Sequence, residues 1–250
     1  MKKIIKKFLK TFDYKLLKIS KNKSSIEIIL EIILNKNISL TLDIGANTGQ
    51  FASDLREAGY KGKIISFEPL SYEHEILKKN SINDASWSVY SRCAIGNLDG
   101  NIDINVSSYS PSSSLLQFTE THKSAKPEAR MVKKENVPIY KLDTIVSDLK
   151  LNDTKYFLKI DTQGYEKFIL DGAINSLKNC EVVFCEVSFK PMYQNQELWL
   201  EIINFLKSKN FEIASIENGV FDKKNILLQA DIIFIKKNFL NLKNFFKIFK

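Results

Sequence analysis

Histidine, cysteine, proline and glycine are all scarce in this 250-residue chain, at two, three, five and nine residues. So little Pro and Gly excludes long flexible linkers, collagen-like segments and low-complexity tracts. No internal repeat is visible. Three cysteines (Cys93, Cys180, Cys185) make no disulfide framework. Cys180 and Cys185 lie five apart in a strand-like run, so alternation sends them to opposite faces; they read as buried thiols of a reducing compartment. No stretch of about 18 apolar residues exists to span a membrane. The opening "MKKIIKKFLKTF" has the charge of a signal peptide, but lysines interrupt any apolar core. A cytoplasmic protein is expected.

The formal net charge of +8 is distributed unevenly. Residues 1–23 carry nine Lys against Asp13, and residues 236–250 carry five Lys and no acid. The body between them is acidic, which argues against a nucleic-acid groove. It leaves the two ends to contact anionic membrane or a partner surface. "KKIIKKFLK" and "FLNLKNFFKIFK" each place apolar residues on one helical face and Lys on the other. They are expected to be either packed terminal helices or peripheral membrane anchors.

Residues 24–34 ("SSIEIILEIIL") predict a helix capped by Ser24 or Ser25. From Leu40 onward, short apolar runs alternate with helical stretches: "SLTLDIG", "GKIISFEP", "WSVYSRCAIG", "KYFLKIDTQG" and "CEVVFCEVSF". Such alternation means βαβ units and a mostly parallel sheet with helices on both faces. Residues 97–142 break the rhythm with alternating stretches around "SSYSPSSSLL", and predict an insertion with its own small strands. The last apolar runs predict an antiparallel pair at the C-terminal edge.

Ligands of open parallel sheets bind outside the carboxyl ends of the strands. The expected strand ends bring together Asp43 with Gly45, Asn47 and Gly49; Glu68 with Pro69; Ala94, Ile95 and Gly96; Asp161 with Gly164 and Glu166; and Glu186. The glycines permit a tight turn and close approach of backbone to a ligand. Glu68 follows Gly45 at the spacing of an acid that binds a ribose diol. Asn47 stands where a dinucleotide fingerprint has its central glycine, which lets backbone touch a pyrophosphate. An acid-rich rim with no such contact suits a cationic nucleoside, S-adenosylmethionine. Phe157, Lys159 and Asp161 share a strand face, so Asp161 is the expected partner of a buried Lys159. That pair is read either as structural or as catalytic.

"LDIGANTGQF", "FEP", "CAIG", "LKIDTQGYEKFILDG" and "CEVS", in this order, resemble the FkbM family of S-adenosylmethionine-dependent methyltransferases over roughly residues 40–190. The resemblance implies a class I, Rossmann-like methyltransferase fold, here with a seven-stranded sheet, and O-methylation of a hydroxyl on a sugar, polysaccharide or glycolipid-type product. It implies that Asp43, Gly45, Asn47 and Gly49 line the methionine side, with Ala46 beside them. Glu68 would hold the ribose next to Pro69, Ala94 and Ile95 would flank the adenine, and Asp161 would sit near the methyl group. Thr162-Gln163 departs from the Val-Glu more usual in the family.

An alcohol acceptor must lose a proton. His74 falls in a helix and His122 in the insertion, where a loop histidine is expected to be solvated. The base is therefore expected to be Asp161 first, Glu186 second, with Lys159 also in the catalytic set. Ser113, Ser114 and Glu166 are expected to meet the acceptor, and no metal site is assigned. Residues 1–36 are expected to form a helical extension, 37–236 the catalytic domain with 97–142 on the acceptor side, and 237–250 a basic tail. Competing readings are a nicotinamide oxidoreductase, a metal-assisted methyltransferase using Asp161, Glu166 and Glu186, and a membrane-surface binding module.

Overall fold

A computed structural model describes residues 23–237. Both basic amphipathic segments, and the membrane reading attached to them, therefore lie outside the described residues. Among the described residues no helix is long and apolar enough to cross a membrane.

Helix α1 (Ser25–Asn35) starts at Ser24, whose side chain accepts from the Glu27 amide while Glu27 reaches back to the Ser24 amide. This reciprocal cap satisfies two donors that the first helical turn leaves unpaired. The main sheet contains β1 (Leu40–Ile44), β2 (Lys63–Phe67), β3 (Trp87–Val89), β7 (Tyr156–Ile160), β8 (Cys180–Ser188), β9 (Phe211–Asn218) and β10 (Gln229–Lys236). Their order across the sheet is β3-β2-β1-β7-β8-β10-β9. The first five are parallel, and β10 runs antiparallel between β8 and β9. The antiparallel C-terminal pair is thus present, with β9 forming the rim.

Helices cover both faces. On one side α1, α2 (Gln50–Glu57) and α3 (Ser71–Ser81) bury Ile29, Ile33, Leu55 and Leu77. On the other, α5 (Leu142–Asp148), α6 (Glu166–Asp171) and α7 (Trp199–Ser208) bury Leu142, Ile145, Leu170 and Leu206. All five positions of β1 and of β7 are buried, as strands covered on both faces require. This is the class I methyltransferase arrangement. Strand order reverses between β1 and β7, which makes their carboxyl ends the place for a ligand.

A second sheet, in the order β4-β6-β5, is built from β4 (Ala94–Gly96), β5 (Gly100–Ser107) and β6 (Met131–Lys141). Short α4 (Glu120–Ala125) lies between β5 and β6. The run "WSVYSRCAIG" is therefore not one strand: β3 stays in the main sheet and Ala94–Gly96 pairs with β6. Arg92 explains the break. Its guanidinium donates to the carbonyls of Pro69 (3.0 Å) and Asn136 (3.1 Å) and meets Glu135 at 3.3 Å, drawing the chain away from β2.

The cysteine expectation also needs correction. Pairing of β7 with β8 steps from Cys180 to Val182 and skips Glu181. This bulge resets the alternation, so Cys180 and Cys185 both pack into the same core. All three thiols are free and buried.

Gly45 has a left-handed φ of +72°, and a Cβ there would lie 1.9 Å from the Asp161 carbonyl oxygen. Gly45→Ala combines backbone strain with a clash that only strand separation relieves, and should cost about 3 kcal/mol or more. Denaturant unfolding should show an earlier midpoint at unchanged slope; a loss under about 1 kcal/mol would contradict the close β1–β7 approach.

Candidate active site

The turn after β1 is anchored before any ligand is considered. The amides of Gly45 and Ala46 both donate to the Phe67 carbonyl, at 3.1 and 3.0 Å. Asn47 adopts a left-handed φ of 49°, which asparagine tolerates.

 The Asn47 amide donates to Glu68 Oε2 (2.7 Å), and Leu70 donates to Glu68 Oε1 (2.8 Å). Glu68 is only 4% exposed at the end of β2. Burial pushes its carboxyl up to about 7, against the pull of those two amides. The Asn47 side chain donates to Ser110 Oγ at 2.9 Å, tying this turn to the Ser-rich segment of the insertion.

Asp43 and Lys159 are register partners on β1 and β7. The Lys159 ammonium lies 3.2 Å from Asp43 Oδ1 and donates to the carbonyls of Ile44 (3.2 Å) and Gly45 (2.7 Å). Asp43 Oδ1 receives no aligned hydrogen bond, so the contact is an ion pair; Oδ2 accepts from Ser66 Oγ. The partner of Lys159 is therefore Asp43 and not Asp161. Asp161 lies beyond the last paired residue of β7, where the chain turns. Burial opposes the charge on Lys159, but Asp43 and then Asp161 outweigh it and hold the ammonium above its ordinary value.

A cavity of about 370 Å³ opens over these strand ends. It brings together Gly45, Ala46, Asn47, Glu68, Pro69, Ala94, Ile95, Lys159, Asp161, Ser113 and Ser114. Asp43, Gly49, Glu166 and Glu186 do not line it. Asp43 is spent on Lys159, and Gly49 packs where a Cβ would meet the Trp87 ring at 2.7 Å. Glu166 caps its own turn, accepting from the amides of Thr162 (2.9 Å) and Gly164 (3.1 Å). Glu186 accepts from the side-chain amides of Gln229 (2.6 Å) and Gln163 (3.3 Å). Burial, then Asp161, Glu166 and Asp231, push the Glu186 carboxyl well up.

Ser113 Oγ accepts from the Ser107 amide, and Ser114 Oγ donates to the Gln163 carbonyl. Their hydroxyls fasten the insertion as a roof over the strand ends, and both residues line the cavity. His122 is not solvated: it is fully buried in α4, stacked on Phe118 at 3.7 Å between centroids. Burial pushes it down to about 4, and it does not line the cavity.

Sequence reasoning missed Tyr109, Lys126, Gln163 and Asp231, which line the cavity. Asp231 had a signal, since it is the one charged residue inside the apolar run "QADIIFI". Gln163 binds Asp161 Oδ1 (2.9 Å) and Glu186 through its amide nitrogen and accepts from the Tyr193 hydroxyl (2.9 Å). Among the described residues no three His, Cys, Asp or Glu are arranged to hold a metal ion.

The model of the methyltransferase FkbM domain matches residues 43–213, more than half of the chain. The chain belongs to the FkbM methyltransferase family. No curated protein matches it by sequence. Solved structures with a similar fold include an O-methyltransferase from Bacillus cereus in complex with S-adenosylhomocysteine, 10% identical, covering 94% of this chain and 90% of that one at a TM-score of 0.46. Magnesium protoporphyrin IX methyltransferase from Synechocystis, with bound S-adenosylmethionine, is 9% identical over 94% of this chain and 96% of that one, at 0.45. Precorrin-6y C5,15-methyltransferase from Geobacter metallireducens is 12% identical over 88% and 94%, at 0.41. At these scores the likenesses carry no argument about the acceptor.

In this FkbM methyltransferase, Lys159→Met would leave the Asp43 charge buried without its counter-ion. The variant should lose about 3 to 5 kcal/mol of stability. Adding Asp43→Asn should recover part of that loss in the same denaturant titration. A single variant as stable as wild type would show that the pair does not hold β1 to β7.

Proposed function

We propose that this chain is an S-adenosylmethionine-dependent O-methyltransferase acting on a hydroxyl of a sugar, polysaccharide or glycolipid-type product. The observation that carries the reading is Glu68, buried at the rim of the cavity with each carboxylate oxygen accepting one backbone amide. A carboxylate oxygen has two acceptor directions, so each retains one for a ribose hydroxyl. The cavity wall supports a cationic ligand over a pyrophosphate. Asp54, Glu68, Asp161 and Asp231 line it against Lys126 and Lys159, and Lys159 is already paired. The Asn47 side chain, bound to Ser110, also fills the space that a dinucleotide turn leaves open for phosphate.

Bound S-adenosylmethionine supplies a methyl group on a positively charged sulfur. Glu68 would orient the ribose, and Leu70, Ala94 and Ile95 would offer apolar walls to the adenine. Asp161, two strands away from Glu68, faces the methyl-bearing end. The roof from Tyr109 to Leu115 excludes water and bounds the acceptor side; half-exposed Tyr109 gives a ring for the apolar face of a sugar. Alignment of the acceptor oxygen behind the methyl would supply much of the rate.

Calorimetry with S-adenosylmethionine and NADH side by side tests the cofactor. Only the first should bind. Glu68→Ala should weaken it at least tenfold, since each charge-assisted hydrogen bond contributes about 1.5 to 3 kcal/mol. Wild-type affinity in the variant, or binding of NADH alone, would overturn the reading.

The pH dependence has a definite sign. The ionised Glu68 accepts from the ribose hydroxyls, and its carboxyl titrates at about 7 before ligand arrives. Affinity should therefore fall as pH drops through about 7 and level off above it. Affinity that is flat from pH 6 to 8 would remove Glu68 from the ribose contact.

A further inference from the structure

Asp231 sits on β10 directly opposite Glu186 of β8 and Glu217 of β9, so three acids stand abreast at one sheet edge. Of these, Asp231 faces the cavity. Counting strands places it. Neighbouring strands are about 4.8 Å apart, so β10 lies roughly 10 Å from β7, which bears Asp161, and roughly 19 Å from β2, which leads into Glu68. Asp231 is thus too far across the sheet for the ribose, and lies beyond Asp161 on the side from which an acceptor must approach.

The neighbouring acids are already engaged. Asp161 holds the Gln163 amide, Glu186 holds two glutamine amides, and Glu166 caps a turn. Asp231 accepts no side-chain hydrogen bond from the described residues. It is half-buried, which is costly for a carboxylate left without donors unless a ligand provides one. Burial first, then Asp161 and Glu217, push its carboxyl up to about 7, with Lys159 pulling the other way. Lys126, across the cavity on the insertion, is the other cation lining this space.

We propose that Asp231 is the catalytic residue that takes the acceptor's proton, and that the positive sulfur of the bound cofactor sets its charge. The inference rests on the methyltransferase reading above. As the carbon–sulfur bond breaks, a carbon–oxygen bond forms and the O–H proton passes to Asp231. The sulfur becomes a neutral thioether and the carboxylate becomes a neutral acid. The net charge of the cavity is the same before and after, so no uncompensated charge is created in a poorly solvated space.

The test needs no identified acceptor. S-adenosylmethionine and S-adenosylhomocysteine share every group except the methyl and its charge. Their binding is measured from pH 6 to 8 by calorimetry in buffers of different ionisation enthalpy, which gives the protons released at each pH. Wild type should release a larger fraction of a proton with the methylated ligand, because the nearby cation drives the partly protonated Asp231 to its ionised form. Ribose-linked protons from Glu68 cancel in the difference. Asp231→Asn should abolish the difference, whereas Asp161→Asn, which removes one of the charges that push Asp231 up, should reduce it at pH 7 and move it to lower pH without abolishing it. Equal release by wild type with both ligands, or an undiminished difference in Asp231→Asn, would overturn the inference while leaving the cofactor site standing. A wild-type protein that binds neither ligand would overturn both. The wild-type comparison stands without any variant.

Discussion

The Lys159 ammonium lies between β1 and β7, 3.2 Å from the Asp43 carboxylate and bonded to the carbonyls of Ile44 and Gly45, and the geometry of the whole sheet edge follows from it. A buried charge must be paired and hydrogen-bonded or it does not stay charged. Satisfying this one fixes the end of β1, the start of the turn after it and the spacing to β7. Gly45 can then pack against the Asp161 carbonyl, and Asn47 can take its left-handed conformation and deliver its amide to Glu68. Glu68 and Asp161 are thereby held on either side of one ion pair.

The acids at this edge divide into those that build and those that face the cavity. Glu166 and Glu186 are buried acceptors for a turn and for two glutamine amides, and burial keeps both from easy ionisation. Asp161, Glu68 and Asp231 face the space. Gln163 is central to the division. An acid there would add a further carboxylate against Asp161 and Glu186, whereas the amide donates toward both and accepts from the Tyr193 hydroxyl at its other end. The departure from the usual Val-Glu thus has a physical role in this chain.

What could be read from the sequence was local. The turn "DIGANTG", the spacing to Glu68 and the alternation of strands and helices are each contained in a few tens of residues, and the structure places them as expected. What could not be read depended on register or on a distant contact. Lys159 takes Asp43 because paired strands set them side by side, which no spacing within β7 reveals. "WSVYSRCAIG" divides because Arg92 finds carbonyls of Pro69 and Asn136. A skipped residue at Glu181 brings both cysteines of β8 to one face. Ser113 and Ser114 line the cavity, and their bonds to the Ser107 amide and the Gln163 carbonyl could not be read from the Ser-rich run. Asp231 reaches the cavity only because β10 inserts beside β8, a pairing between segments some forty residues apart.

The most direct test of the central claim is a crystal structure with S-adenosylhomocysteine bound. The account predicts both ribose hydroxyls on Glu68, adenine against Ala94 and Ile95, and the sulfur on the Asp161 side of Lys159, with open space between it and Asp231. Ribose density away from Glu68, or a sulfur on the β2 side of the ion pair, would contradict it.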